Sequence, residues 1–446
     1  MPLLTVLLAF PLSTVAYASQ FWKESKNSAH FYLWSRKRDR LSDTNNDGLL
    51  DNQDKFQANL QHTTVNTAFD FESGYAYDFV GFDLGLYLAA DLQNTAFYGH
   101  ELAFFAGDGT LWGADFSQKD KSAISFYKAA LKFKRQGGWG QLGYFQPSGP
   151  GILGVNWSLL PGSYRGAEMG FRQENLSMAA SYVTQYKAPW FTKTYDFRRN
   201  DGETVINHVY SLGIKYDLNP SVSAELAYGQ SSKHLNNSHI KIKYKRNQQY
   251  LSYQLYRVGD SDDSGGINDN FNGTGLQHYI AAHWQLGGYR FRGEALLTKA
   301  PQTLGARHLG YFVYRPSSQF GGSNGAYEPW WNARSDWDHD EERAVFFSIS
   351  RALFQSDDRE LTAGLSYAYG WNGQSVHTQQ ELKEEAYNAD VTYTTRFKKS
   401  KIHINLHYTH YDNKTTLPSY SSGGFANAFQ DERDIKLIIG LHHTFY

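Results

Sequence analysis

The chain has 446 residues, 43 Lys and Arg against 44 Asp and Glu, 41% hydrophobic residues, 16% aromatic residues and no Cys. A net charge of -1 gives no bulk reason to bind nucleic acid, and the lack of Cys removes a disulfide framework. No apolar run reaches the roughly 18 residues of a membrane helix, and a chain this rich in aromatics is not disordered, so 32 Tyr and 40 Gly in a polar sequence point to a β-protein that faces lipid.

The first residues read as an export signal. Leu3 to Phe10 is an apolar core and Ala16-Tyr17-Ala18 a small-x-small cleavage site, giving a signal peptide over 1–18 and one domain over 19–446. Beyond it the chain alternates with a period of two, the spacing at which strand side chains take opposite faces. Along 28–40 one face carries Tyr32, Trp34, Arg36 and Arg38. Along 239–246, Ile240, Ile242 and Tyr244 oppose Lys241 and Lys243. Along 289–298, Tyr289, Phe291, Ala295 and Leu297 oppose Arg290, Arg292 and Glu294. The last segment sets Ile435, Leu437, Ile439, Leu441 and Phe445 on one face.

Eighteen such strands are predicted, at 28–40, 55–70, 77–91, 122–135, 139–146, 164–171, 176–185, 207–216, 222–230, 239–246, 250–258, 276–286, 289–298, 343–353, 361–371, 386–397, 401–411 and 434–446. Their connections alternate. Gly287-Gly288 and 398–400 are short, whereas 260–275, 299–342 and 412–433 are long. A soluble sandwich could show the same alternation of faces. The sorted connectors favour an all-β fold: an 18-stranded antiparallel transmembrane β-barrel with short periplasmic turns and long outer loops. An even strand count leaves both termini on the periplasmic side.

In the first outer loop, Asp43, Asn45, Asp47, the Leu49 carbonyl and Asp51 fall at the ligand positions of a twelve-residue calcium loop, with Gly48 at the sharp turn. Asp54 replaces the usual bidentate Glu and reaches less far. An Asx-rich turn is the competing reading. Nothing else in the sequence requires a cofactor.

A barrel of eighteen strands is wide enough for an aqueous channel, so something must narrow it. The segment 147–163, with Gly149, Pro150, Gly151, Gly154 and Trp157, is expected to fold inward, and every other long connector to stay outside. Inward positions carry cations, among them Arg36, Arg38, Lys128, Lys241, Lys243, Arg290 and Arg292, and fewer acids, Glu168 and Glu294 among them. A basic lumen in a near-neutral chain implies that the outer loops hold the acids. Charged side chains in a pore select ions and orient polar solutes, or simply satisfy one another. Inward Tyr32 and Trp34, joined by Phe126, Phe145 and Trp157, would offer flat apolar faces to sugar rings. The other reading of these rings is an interfacial girdle or loop packing.

Several stretches resemble the outer-membrane porin D (OprD) family, most closely its chitoporin branch. They are Tyr127 to Lys134, Gly143 to Pro147, Trp157 to Glu168, Tyr186 to Trp190, Trp330 to Asp336 and Phe429 to Asp434, in order along the chain. The resemblance implies an eighteen-stranded, usually monomeric barrel whose third outer loop narrows the pore, here from Gln146 to Arg165. It also implies uptake of chitooligosaccharides. The calcium-like loop is an addition to the family pattern.

The expected function is a substrate-selective outer-membrane porin for passive uptake of chitooligosaccharides, seated among outer-membrane lipids and lipopolysaccharide. A porin for basic amino acids, peptides or small carboxylates stays open, since inward Arg and Lys would serve carboxylates. So does an outer-membrane barrel hydrolase, for which 16 His leave room, and an adhesin using the 299–342 loop. The sequence carries no phosphate loop, zinc motif or nucleophile elbow, so no enzyme is expected.

Overall fold

The computed structural model describes residues 20–45, 54–94, 122–155, 162–189, 191–317, 325–415 and 430–445. The expected signal peptide, 1–18, lies outside them. The strands are β1 (Lys26–Ser42), β2 (Lys55–Glu72), β3 (Val80–Asn94), β4 (Ala123–Arg135), β5 (Gly138–Phe145), β6 (Ser163–Gln173), β7 (Leu176–Lys187), β8 (Tyr195–Arg198), β9 (Val205–Ile206) and β10 (Val209–Asn219). They continue as β11 (Val222–Ser231), β12 (Leu235–Arg246), β13 (Gln249–Asp260), β14 (Thr274–Leu286), β15 (Tyr289–Lys299), β16 (Arg343–Gln355), β17 (Arg359–Ser375), β18 (Thr378–Phe397), β19 (Ser400–Asn413) and β20 (Glu432–Thr444).

Two of these twenty, β8 and β9, are short pieces inside the connection from β7 to β10. The other eighteen form the wall, each antiparallel to its neighbours, with β7 joined to β10. β1 pairs with β20 from Ser28↔Thr444 to Arg40↔Glu432, which closes the sheet into a cylinder and leaves no free edge. Closure matters because hydrocarbon offers no partner to an unpaired backbone group. Among the described residues no helix is long and apolar enough to cross a membrane; the strands do so.

The period-two reading sets the two faces. Ile240, Ile242, Leu297, Tyr387, Val391, Leu406 and Ile435 stand exposed on the outside, where lipid covers them. Lys241, Glu294, Arg36 and Asp434 alternate with them and are buried inside. Tight two-residue turns join most strands at the end where the termini lie. Gln136 and Gly137 (φ +48° and +83°) and Gly287 and Gly288 (φ +57° and +82°) take left-handed backbone, as hairpins matched to strand twist require.

The outer ends differ from expectation in two places. β17 and β18 run on to Ser375 and Thr378, so the expected gap from 372 to 385 is a hairpin standing on the wall. β11 and β12 likewise meet at a three-residue turn, 232–234. Both extensions are largely polar, with Leu382 and Leu235 as single buried apolar residues, so they carry no apolar alternation to read.

Candidate functional site

The connection from β5 to β6 folds into the lumen, as its glycines suggest. Its described part, 146–155, lies across the inner faces of β6, β7, β10 and β11. Glu168 of β6 holds it there. That buried carboxylate accepts from the backbone N–H of Ser148 (3.1 Å) and Gly149 (3.1 Å), from Ser148 Oγ (3.1 Å), and from Gln141 Nε2 (2.5 Å). Ser211 Oγ accepts from Ile152 N at 2.8 Å. Gly213 lets the loop lie flat, since a Cβ there would overlap the Pro150 backbone. Ile152 and Leu153 are buried with Phe145, Tyr164, Val183 and Tyr256. Gln146 braces the neck through Nε2 to the Gly162 carbonyl (2.9 Å). Trp157 lies outside the described residues.

A second loop turns inward, against the expectation that every other long connector stays outside. The connection 300–342 sinks Phe312, Tyr314, Tyr327, Trp331 and Trp337 into the barrel. It meets the first loop directly, with Ala326 N donating to the Ile152 carbonyl at 2.9 Å. Glu328 accepts from Lys241 (2.9 Å) and Lys243 (2.6 Å) of β12 and from Gln254 (3.0 Å) of β13. Burial raises the Glu328 carboxyl, but Lys241 and Lys243 outweigh it and hold it at about 2. Trp331 Nε1 donates to Glu294 (2.7 Å), Lys436 Nζ donates to Asn332 Oδ1 (2.6 Å), and Arg334 pairs with Glu432. The sequence offered one signal for this. A long connector rich in Trp and Tyr needs somewhere to bury them.

The lumen charges are matched. Arg36 pairs with Asp434, Arg38 and Arg40 face Glu432, and Lys436 faces Asp434. Lys128 reaches Asp70 (3.3 Å) and Glu72 (3.4 Å), Arg290 pairs with Glu360, and Arg292 with Glu294. Most of these acids sit in the wall and one, Glu328, in an inward loop. This corrects the expectation that outer loops hold the balancing acids. The reason is dielectric. A cation on a partly dehydrated wall needs its counter-charge within a few ångströms, and a distant loop cannot supply it.

The aromatics divide. Trp34 is buried on the inner face of β1 with its Nε1 unbonded, and the half-buried Tyr32 ring lies over Gly440 of β20. Phe145 is buried inside. Phe126 packs edge-on against Tyr144 at 4.8 Å on the outward side. Arg165 is also outward. It follows the inward Tyr164, its side chain is exposed, and Nη1 donates to Gln185 Oε1 at 3.0 Å. A bulge between Arg165 and Gly166 marks where the β6–β7 register shifts. The expectation of a lumen-facing Arg165 is corrected because Tyr164 and Glu168 face inward, which puts Arg165 on the opposite face of β6.

Of the calcium-loop residues, Asp47, Leu49 and Asp51 lie outside the described residues. Asp43, Asn45 and Asp54 are described, and Asp54 Oδ1 accepts from Thr44 N at 2.8 Å. A concave apolar patch of about 880 Å³ lies among Met169, Leu212, Ile214, Leu226 and Leu276. These are outward side chains of the membrane wall, so the patch faces lipid and is no part of the channel.

A chitoporin of Escherichia coli (strain K12) is 34% identical over 458 residues, covering 98% of this chain and 95% of that one. The chain belongs to the chitoporin branch of the outer-membrane porin D family. It is therefore a porin of the bacterial outer membrane, a channel for small polar solutes and not an enzyme. No family model matches the chain. Solved barrels share the fold at low identity. OccAB1 of Acinetobacter baumannii aligns with a TM-score of 0.73 and 13% identity over 96% of this chain and 98% of its own. OpdK of Pseudomonas aeruginosa aligns with a TM-score of 0.69 and 14% identity over 95% and 100%.

Proposed function

We propose that this porin passes chitooligosaccharides down their concentration gradient. The observation that carries this is the likeness to a chitoporin along nearly the whole of both chains. The lumen supports it. Because the inward cations are paired, the wall presents dipoles and aromatic faces in place of a bare cationic strip. Such a wall suits a neutral sugar, whose hydroxyl and amide groups trade hydrogen bonds with charged side chains while its C–H faces lie on the half-buried Tyr32. A channel for carboxylates needs unneutralised cations, and the pairing of Arg36, Arg292, Lys241 and Lys243 weakens that reading.

The inward loops of 146–155 and 325–337 form the constriction, and a solute must pass the surface they leave open. One closed barrel surrounds its own lumen, so a monomer in lipid and lipopolysaccharide suffices. The loop from Asp43 to Asp54 is proposed as a calcium site; calorimetric titration with millimolar CaCl2 giving no heat removes it.

The test is single-channel recording in a planar bilayer. Chitohexaose should produce brief current blocks and maltohexaose should not. Equal indifference to both sugars rejects the specificity and leaves the porin intact. Trp34→Ala should shorten the chitohexaose blocks, and unchanged blocks take Trp34 off the path.

A further inference from the structure

Three side chains converge where the 300–342 loop rejoins the wall. His339 and Glu342 end the loop just before β16. Glu384 lies in the outer half of β18. All three are fully buried, and one potential ligand atom from each lies within 4.8 Å of the other two.

The surroundings are built around the pair of acids. Glu342 Oε2 accepts from the His339 backbone N–H at 2.9 Å and faces His339 Nδ1 at 3.1 Å. Its other oxygen, Oε1, is buried, is reached by no N–H or O–H donor, and lies on the side of the Glu384 carboxyl. Oε1 projects over Gly370, where a Cβ would overlap it, and Gly370 pairs in register with Glu384. Glu384 is fixed by Ser335 Oγ at 2.8 Å and Tyr411 OH at 2.5 Å. Two carboxyl groups buried side by side, with buried Asp338 near them, are costly to ionise without a cation among them.

We propose that His339, Glu342 and Glu384 form a binding site for one divalent transition-metal ion of the zinc class. One imidazole and two carboxylates match the ligands of such ions. A hard ion such as Ca²⁺ would want six or more oxygens and no imidazole. The bare Oε1 of Glu342 is the ligand in waiting. Ser335 and Tyr411 act as outer partners that orient Glu384, as carboxylate ligands commonly require. Bonds of about 2.0–2.2 Å require the ligand atoms to close in from separations of up to 4.8 Å. The ion joins the end of the inward loop to β18, and so anchors the segment carrying Glu328 and Trp331. The site does not depend on which solute the channel passes.

The experiment uses the full chain, purified in detergent, stripped with EDTA and titrated with ZnCl2 by calorimetry. One equivalent should bind at micromolar Kd or tighter. Glu384→Gln and His339→Asn should each weaken it by at least about tenfold, and Zn²⁺ should raise the thermal midpoint of the parent but not of Glu384→Gln. The chain holds 16 His, so adventitious sites must be told apart. X-ray absorption on the zinc-loaded parent, which needs no variant to fold, should show one imidazole among oxygen ligands. Absence of a one-equivalent site, binding unchanged in both variants, or a shell of several imidazoles overturns the proposal.

Discussion

Arg36 and Asp434 stand 398 residues apart in sequence and clasp each other across the seam that closes the barrel. Arg36 Nε reaches both carboxylate oxygens at 3.0 Å, and Nη2 reaches Oδ2 at 2.5 Å. Both side chains are buried, so neither charge can turn to water for help. The pair locks first strand to last, in the wall where Trp34 and Tyr32 also face the lumen. Asp434→Asn removes the carboxylate that faces both Arg36 and Lys436, and breaking such a buried pair costs about 3–5 kcal/mol. Urea unfolding in detergent should show the loss as a lower midpoint with an unchanged slope. A midpoint equal to that of the parent would mean that the seam does not depend on this pair.

Glu168 does for the first inward loop what Asp434 does for the seam. Hydrogen bonds to a charged acceptor contribute about 1.5–3 kcal/mol each, and Glu168 accepts from two loop backbone groups and Ser148 Oγ at once. Glu168→Ala should let the loop leave the wall. The open-channel conductance should change and its noise should rise, and chitohexaose blocks should weaken, while β-sheet circular dichroism stays that of the parent. A parental conductance trace would show that the loop is held by its apolar contacts alone.

How far the fold and the site could be read from the sequence depended on which rule governed each residue. Ile240, Lys241 and Ile242 obey local alternation, and their faces follow from a period of two. Arg165 obeys it too, facing out one step from the inward Tyr164, and its expected place in the pore came from the resemblance and not from the period. The hairpin above Trp371 escaped for a different reason. Out of the membrane, 372–385 has no apolar face to declare itself, and backbone pairing alone extends the strands. The inward turn of 300–342 rests on contacts between residues distant in sequence. Glu328 finds Lys241 87 residues away, and Lys436 finds Asn332 104 residues away. The pairing of the lumen cations was hidden for the same reason. The sequence lists the charges without saying which meet.

Gly213 offers an independent probe of the loop. It lies under Pro150 and Gly151, and a Cβ there would overlap the Pro150 carbonyl group. Gly213→Ala should therefore push the loop off β10 without touching Glu168, and reproduce part of the conductance change of Glu168→Ala. The double variant should add little to either single change, since both act on one loop. Fully additive effects would separate the two residues and remove Gly213 from the loop's footing.

Glu328 makes docking of the second inward loop depend on pH, and the sign follows from its charge partners. Its carboxyl is held at about 2, below the ordinary 4.5, by Lys241 and Lys243 working against burial. A carboxyl lowered by folding contributes stability that is complete above the ordinary value and lost as pH falls through the lowered one. Docking should thus stay firm from neutral pH down to roughly 4.5 and loosen progressively towards 2. The side chain is 35% exposed, so solvent screening tempers the effect. Single-channel noise recorded from pH 7 to pH 2.5 should rise only in the acid range. Glu328→Gln cannot hold the two lysines as an anion does, so it should be noisy already at pH 7 and lose most of the acid response. If the parent and Glu328→Gln instead respond to acid identically, the loop is not fastened through this carboxylate, and other lumen acids set the response.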